Sequence, residues 1–203
     1  MVTTLPKLDP RVKRTRELLQ RAFLELIAER GFRAITVQDI AERATVNRAT
    51  FYAHFVDKYA LMDSIVREQF RQALAGRLPA GAGFTQGNLH ALVRTVFEFL
   101  AGMQDRQCRS AGQAQFEPLV ETAVQEELHA FIAAWLKQLP PATAPQRATR
   151  ETIATALSWA IFGAGVRWSR GARELPADAL ARQLVAVLLD GVPRALGVAE
   201  RVA

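Results

Sequence analysis

The chain has 203 residues, half of them apolar, and a formal charge of +6. That is enough apolar material for a full core, and with Cys108 as the single cysteine an intrachain disulfide is excluded, which fits a reducing cytosol. The longest stretch free of Asp, Glu, Lys, Arg and His, Thr152 to Val166, has 15 residues, short of the roughly 18–20 needed to span a bilayer, and the mixed start from Met1 to Asp9 does not resemble a signal peptide. A cytoplasmic protein with no membrane partner is expected.

Strand-type alternation is nearly absent and helical spacing recurs throughout, so an all-α fold is predicted. Asp9-Pro10 starts the first helix, with Asp as N-cap and Pro at the first helical position. Leu19, Ala22, Phe23, Leu26 and Ile27 form its apolar stripe, and Gly31 ends it. Thr36 caps a second helix with Asp39 three positions on, and Val37, Ile40, Ala41 and Ala44 face inward. Asn47 caps a short third helix, Arg48 to His54, with Phe51 and Phe55 as anchors. Asp57 caps a fourth that runs to about Arg77. Pro79 to Gly83 is a break. Helices follow over about 88–103, 118–138, 147–170 and 177–190, with a short helix possible between 104 and 117 and a second break at Pro140 to Pro145.

Two short helices separated only by Thr45-Val46 have the layout of a helix-turn-helix, which presents its second helix to a DNA groove. Residues 1–60 carry 11 Lys plus Arg against 7 Asp plus Glu, so the basic excess is concentrated on this segment. Arg48 stands where recognition helices meet base edges and can bond guanine O6 and N7 together. Ala49 can touch a thymine methyl, and Gln38 can reach adenine or a phosphate. Thr36, Tyr52, His54 and Lys58 suit the phosphate backbone, and Asn47 and Thr50 complete the candidate DNA-binding set. Each also has a structural reading: Thr36 and Asn47 as caps, Thr50 on the inward side, Tyr52 as a packing aromatic, His54 as a surface residue.

From about Leu18 to Met62 the chain closely resembles the DNA-binding domain of TetR-type (TetR/AcrR) transcriptional regulators. The residues that carry the likeness are Ala22, Phe23, Gly31, Phe32, Thr36, Val37, Ile40, Ala41, Val46, Phe51, Tyr52, Phe55, Lys58 and Leu61, above all Phe51-Tyr52-x-His54-Phe55 followed by Lys58. The resemblance implies bases near Gln38, Arg48 and Ala49, and phosphates near Thr36, Tyr52, His54 and Lys58. It departs at the turn, where Gly usually precedes the Val and Thr45 stands here, and at Asn47, where Ser is frequent. It also implies an N-terminal three-helix head over 1–56 and a C-terminal helical bundle over 57–203 for ligand binding and dimerisation.

A palindromic double-stranded operator calls for two heads, and a homodimer supplies them. Ala156, Ala160 and Ala164 recur every fourth residue, and Leu184, Val187 and Leu188 form a stripe, so the last two helices are the candidate dimer interface. Phe97, Phe99, Leu100, Met103, Phe116, Phe131, Trp135, Trp159, Phe162 and Trp168, with Arg94, His129 and Arg167 as polar partners, are candidate pocket residues for an unknown small-molecule effector, although core packing explains each of them better. His54, His90 and His129 are scattered, Gly163-x-Gly165 lacks a third Gly, and no Gly-x-Ser-x-Gly elbow occurs. An enzyme, a metal site and a cofactor are therefore not expected. The reading is a sequence-specific transcriptional regulator, a ligand-responsive repressor. The alternative is a DNA-anchored structural protein whose C-terminal domain meets a protein partner.

Overall fold

The structure, a computed structural model, describes residues 9–79, 81–108, 117–140 and 148–195. It is helical: α1 (Pro10–Arg30), a 3₁₀ turn (Phe32–Ala34), α2 (Val37–Arg43), α3 (Arg48–His54), α4 (Lys58–Ala75), α5 (Gln86–Cys108), α6 (Glu117–Lys137), α7 (Arg150–Arg170) and α8 (Ala177–Ala195). Among the described residues there is no strand. The chain divides into two compact units, one formed by 1–66 with 107–118 and the other by 67–106 with 119–203. Residues 141–145 of the second break and Phe116 lie outside the described residues.

Local chemistry explains the ends of the first helices. Asp9 Oδ1 accepts from the Arg11 amide at 2.9 Å, with Pro10 at the first helical position. Gly31 ends α1 at φ 72°, ψ 154°, a conformation open essentially to glycine alone. α2 opens on a full capping box: the Asp39 amide donates to Thr36 Oγ1 at 3.2 Å, and the Thr36 amide donates to Asp39 Oδ2 at 2.8 Å. Asn47 Oδ1 accepts from the Ala49 amide at 2.9 Å, and Asp57 Oδ1 from the Ala60 amide at 2.7 Å.

In the first unit α1 packs on α2, and α2 on α3. Leu19, Phe23, Leu26, Ile40, Phe51 and Leu61 are wholly or almost wholly buried there. These side chains supply the cohesion that seven-residue helices cannot generate alone. In the second unit α5 and α7 approach closely at Gly165. A methyl there would lie 2.9 Å from Leu100 Cδ1 and 3.0 Å from Phe97 Cδ1. Phe97 is fully buried and stacks on Trp168 at 5.8 Å. Arg71 and Arg67 of α4 join Glu127 of α6 at 2.6 and 3.3 Å. Arg173, between α7 and α8, donates to the Ser169 carbonyl and to both Asp105 oxygens. α8 runs on to Ala195, but its helical backbone breaks at Gly191 (φ 78°, ψ 165°), next to the end expected at Asp190.

Candidate DNA-binding site

The turn between α2 and α3 sets the angle of the third helix. Ala44 ends α2, and Thr45 takes a left-handed φ of 57°. The Thr45 amide donates to the Glu42 carbonyl at 3.0 Å and the Val46 amide to the Ala41 carbonyl at 2.9 Å. These are the two bonds of a Schellman cap, whose left-handed position is usually glycine. The turn keeps its geometry here although a β-branched residue occupies that position.

α3 then buries one side and exposes the other. Phe51 is fully buried and Phe55 nearly so, their rings 5.9 Å apart. Asn47, Arg48, Ala49, Tyr52 and Ala53 are exposed, while Thr50 and His54 are half-buried. The Arg48 guanidinium donates to the Tyr52 hydroxyl at 3.1 Å and lies 5.5 Å from the Tyr52 ring centre. Tyr52 meets Phe51 edge-on at 5.6 Å, so a buried ring braces the exposed pair. Gln38 is exposed on α2, its amide donating to Glu42 Oε1 at 2.6 Å.

Charge in the head is largely committed to holding it together. Arg43 reaches Glu29 at 2.7 Å and Glu25 at 3.5 Å, which holds the Glu29 carboxyl below its usual range. Arg30 reaches Asp39 at 3.4 Å. The Thr36 hydroxyl first, then the Thr36 amide, and after them Arg30, lower the Asp39 pKa. Arg16 stands 4.5 Å over the Phe55 ring. Burial first, and the Arg16 charge second, push the His54 pKa below its ordinary value, favouring a neutral imidazole.

Two of the residues expected at phosphates have partners within the head. Thr36 directs both its amide and its hydroxyl proton to Asp39. The Lys58 ammonium turns inward to the carbonyls of Ile35 (2.7 Å), Phe32 (3.1 Å) and Arg33 (3.4 Å), and burial lowers its pKa against the opposing pull of Asp39. Sequence spacing put Lys58 beside the DNA; only its long-range partners reveal the inward direction.

The candidate pocket set is not brought together. Phe131 and Trp135, with rings 4.9 Å apart, line an apolar groove of about 370 Å³ with Leu74, Leu78 and Ala82. Leu74, Leu78 and Ala82 were not anticipated, because they matter only once α4 and α6 lie side by side. Phe97 and Phe162 are packed into the second unit, Arg94 pairs with Glu98 at 3.2 Å and Asp178 at 3.6 Å, and neither they nor Met103 lines that groove. Trp159, expected in the pocket, is 57% exposed on α7 instead. It shares that surface with exposed Ala156 and half-buried Ala160 and Ala164. On α8, Val187 is exposed and Leu184 and Leu188 are half-buried.

A short, externally faced helix held by a Schellman turn on a three-helix head defines a helix-turn-helix DNA-binding protein. Comparison with known proteins narrows the class. Residues 19–65 match the family model "Bacterial regulatory proteins, tetR family". Over 197 residues the chain is 29% identical to the HTH-type transcriptional repressor KstR2 of Rhodococcus jostii, covering 88% of this chain and 91% of that protein. It is 42% identical over 62 residues to the HTH-type regulator YxbF of Bacillus subtilis, a match spanning 30% of this chain and only 16% of that protein. Among solved structures, the TetR-family repressor FadR of Thermus thermophilus, in complex with lauroyl-CoA, is 26% identical with a TM-score of 0.55, covering 93% of this chain and 98% of that one. Residues 19–65 thus carry a TetR-type DNA-binding domain, and the chain is a DNA-binding transcriptional regulator. Among the described residues no helix is long and apolar enough to cross a membrane, and no group of three or more potential ligands is placed to hold a metal ion.

Proposed function

We propose that the chain is a ligand-responsive repressor that grips a palindromic operator as a homodimer in the cytoplasm. Residues 1–56 serve the DNA, and 57–203 serve the effector and the partner copy. The observation that carries this reading is the two-sided third helix: Phe51 and Phe55 inside, Arg48, Ala49 and Tyr52 outside. Arg48 reads a guanine edge, and Ala49 meets a thymine methyl. Tyr52 steadies Arg48 by accepting its hydrogen bond, which leaves the phenolic proton free to meet a phosphate. Gln38, Asn47, Thr50 and the neutral His54 complete the surface.

A symmetric pair must place its third helices about 34–36 Å apart, or a multiple of that, to meet successive major grooves. The uncovered apolar positions on α7 and α8 (Trp159 at 57%, Ile153 at 37%, Val187 at 38% and Leu189 at 42% exposed) support a self-complementary seam there. The effector is a small molecule with a substantial apolar part. Support comes from the groove beside Phe131 and Trp135 and from the lauroyl-CoA held by the Thermus relative. Its binding shifts the population of head arrangements away from the spacing the operator requires.

The test is selection of duplexes from a random pool, followed by titration of the selected duplex at fixed salt. Arg48→Ala is expected to cost about 1–3 kcal/mol of discrimination at one guanine per half-site. If the wild type enriches no sequence, or if Arg48→Ala binds the selected duplex as well as the wild type does, this reading fails.

A further inference from the structure

Three main-chain carbonyls and one ammonium meet inside the head. The 3₁₀ turn after α1 and the residue that follows it present the carbonyls of Phe32, Arg33 and Ile35 to one point. The Phe32 carbonyl already accepts from the Ile35 amide at 3.3 Å, and a carbonyl oxygen has a second lone pair for a further donor. The Lys58 ammonium has three protons, and three oxygens lie within 3.4 Å of it. It also stands 4.6 Å from the centre of the buried Phe32 ring, which itself meets Phe23 at 5.6 Å and Tyr59 at 5.2 Å. A lysine drawn out of water is retained only where its charge is hydrogen-bonded, and this one is.

The segment held this way leads directly into the recognition unit. Ile35 is followed by Thr36, the cap of α2, and α2 packs on α3. Lys58 is the first residue of α4. Its side chain therefore fastens the first turn of α4 to the stretch that sets the start of α2. Gln20 and Arg16 of α1 bond Ser64 farther along α4, so the same helix is clasped at two points one turn and more apart.

We infer that Lys58 is a positioning residue for the recognition helix, acting through the 32–35 segment and α2, and that it makes no phosphate contact. This inference rests on the DNA-binding reading above. It separates two roles that charge alone would merge. A phosphate-contacting lysine is read in the salt dependence of binding, where each such contact adds about one to the slope of log affinity against log salt. A positioning lysine is read in the order of the head and leaves that slope unchanged.

Two variants distinguish the roles. Lys58→Met keeps the length of the side chain and removes its donors. Lys58→Gln removes the charge and keeps an amide that can donate to two of the carbonyls. Hydrogen exchange is measured at the Ile35, Thr36 and Asp39 amides of the full chain, without DNA. Lys58→Met is expected to lose about tenfold or more in protection there, as for loss of a hydrogen bond to a charged group, and Lys58→Gln clearly less. On the duplex selected by the wild type, Lys58→Met binds more weakly at every salt concentration with the wild-type slope, and Lys58→Gln recovers much of the loss. The inference is overturned if both variants weaken binding equally and lower the slope by about one per head, or if exchange is unchanged in Lys58→Met. If the wild type selects no duplex, the DNA-binding reading falls by itself, and the exchange result still decides whether Lys58 orders the head.

Discussion

Thr45 offers the sharpest test of how this head is built. It is the left-handed residue of the turn, at φ 57°, and its side chain is exposed. Holding an L-residue there costs roughly 1–2 kcal/mol, and β-branching makes it a true outlier. Thr45→Gly removes that strain while leaving both turn hydrogen bonds, since these use main-chain atoms only. Glycine's greater freedom in the unfolded chain takes back about 0.5–1 kcal/mol. With both terms at mid-range the net gain is about 0.7 kcal/mol, and no packing is lost because the side chain contributes none to the core. For a chain of this size each kcal/mol moves the melting temperature by roughly 2–4 °C, so Thr45→Gly is expected to melt roughly 1–4 °C higher. Thr45→Ala retains a Cβ in the left-handed region and is expected to gain less. Urea unfolding followed by circular dichroism gives the same comparison as a midpoint shift at constant m-value. The selected duplex should be bound as by the wild type, because the turn geometry is already that of a glycine cap. A melting temperature that is unchanged or lower in Thr45→Gly would refute the strain argument.

Three further outcomes are expected. Gly165→Ala places a methyl 2.9–3.0 Å from Leu100 and Phe97; it should destabilise the chain by about 1–3 kcal/mol in denaturant unfolding, and a neutral substitution would refute the tight α5–α7 contact. Burial and Arg16 lower the His54 pKa from 6.5, so the unfolded chain takes up its proton first as pH falls. His54 therefore costs nothing above the unfolded pKa, and stability drops as pH falls from there through the folded value. Unfolding free energies between pH 8 and 5 should slope less in His54→Gln, and identical slopes would count against the half-buried neutral imidazole. Trp159→Glu puts a charge on the exposed face of α7 and should shift sedimentation toward the monomer; an unchanged dimer would move the interface elsewhere.

The local features of this chain were legible because their partners lie close in sequence. Asp9, Thr36, Asn47 and Asp57 each cap an amide two or three residues on, so residue order alone dictates those helix starts. The same holds for the Phe51 and Phe55 anchors, one helical turn apart on a single face; Thr45 in place of glycine pointed to an altered turn, yet the main-chain bonds of the glycine cap are kept. Aromatic identity in the 118–138 and 147–170 helices was legible too, but its use was not. Phe131 and Trp135 line a groove because α4 and α6 meet there, whereas Trp159, with the same composition around it, stands on an open surface. Lys58 makes the distinction plainest. Its spacing from Tyr52 and His54 says phosphate, yet its partners lie 23 to 26 residues away in the chain. Sequence determined which short helices form and where they stop, because those energies act over one turn. Only the tertiary structure decided which charges and rings face inward, because burial and long-range hydrogen bonds exist only after the helices have packed.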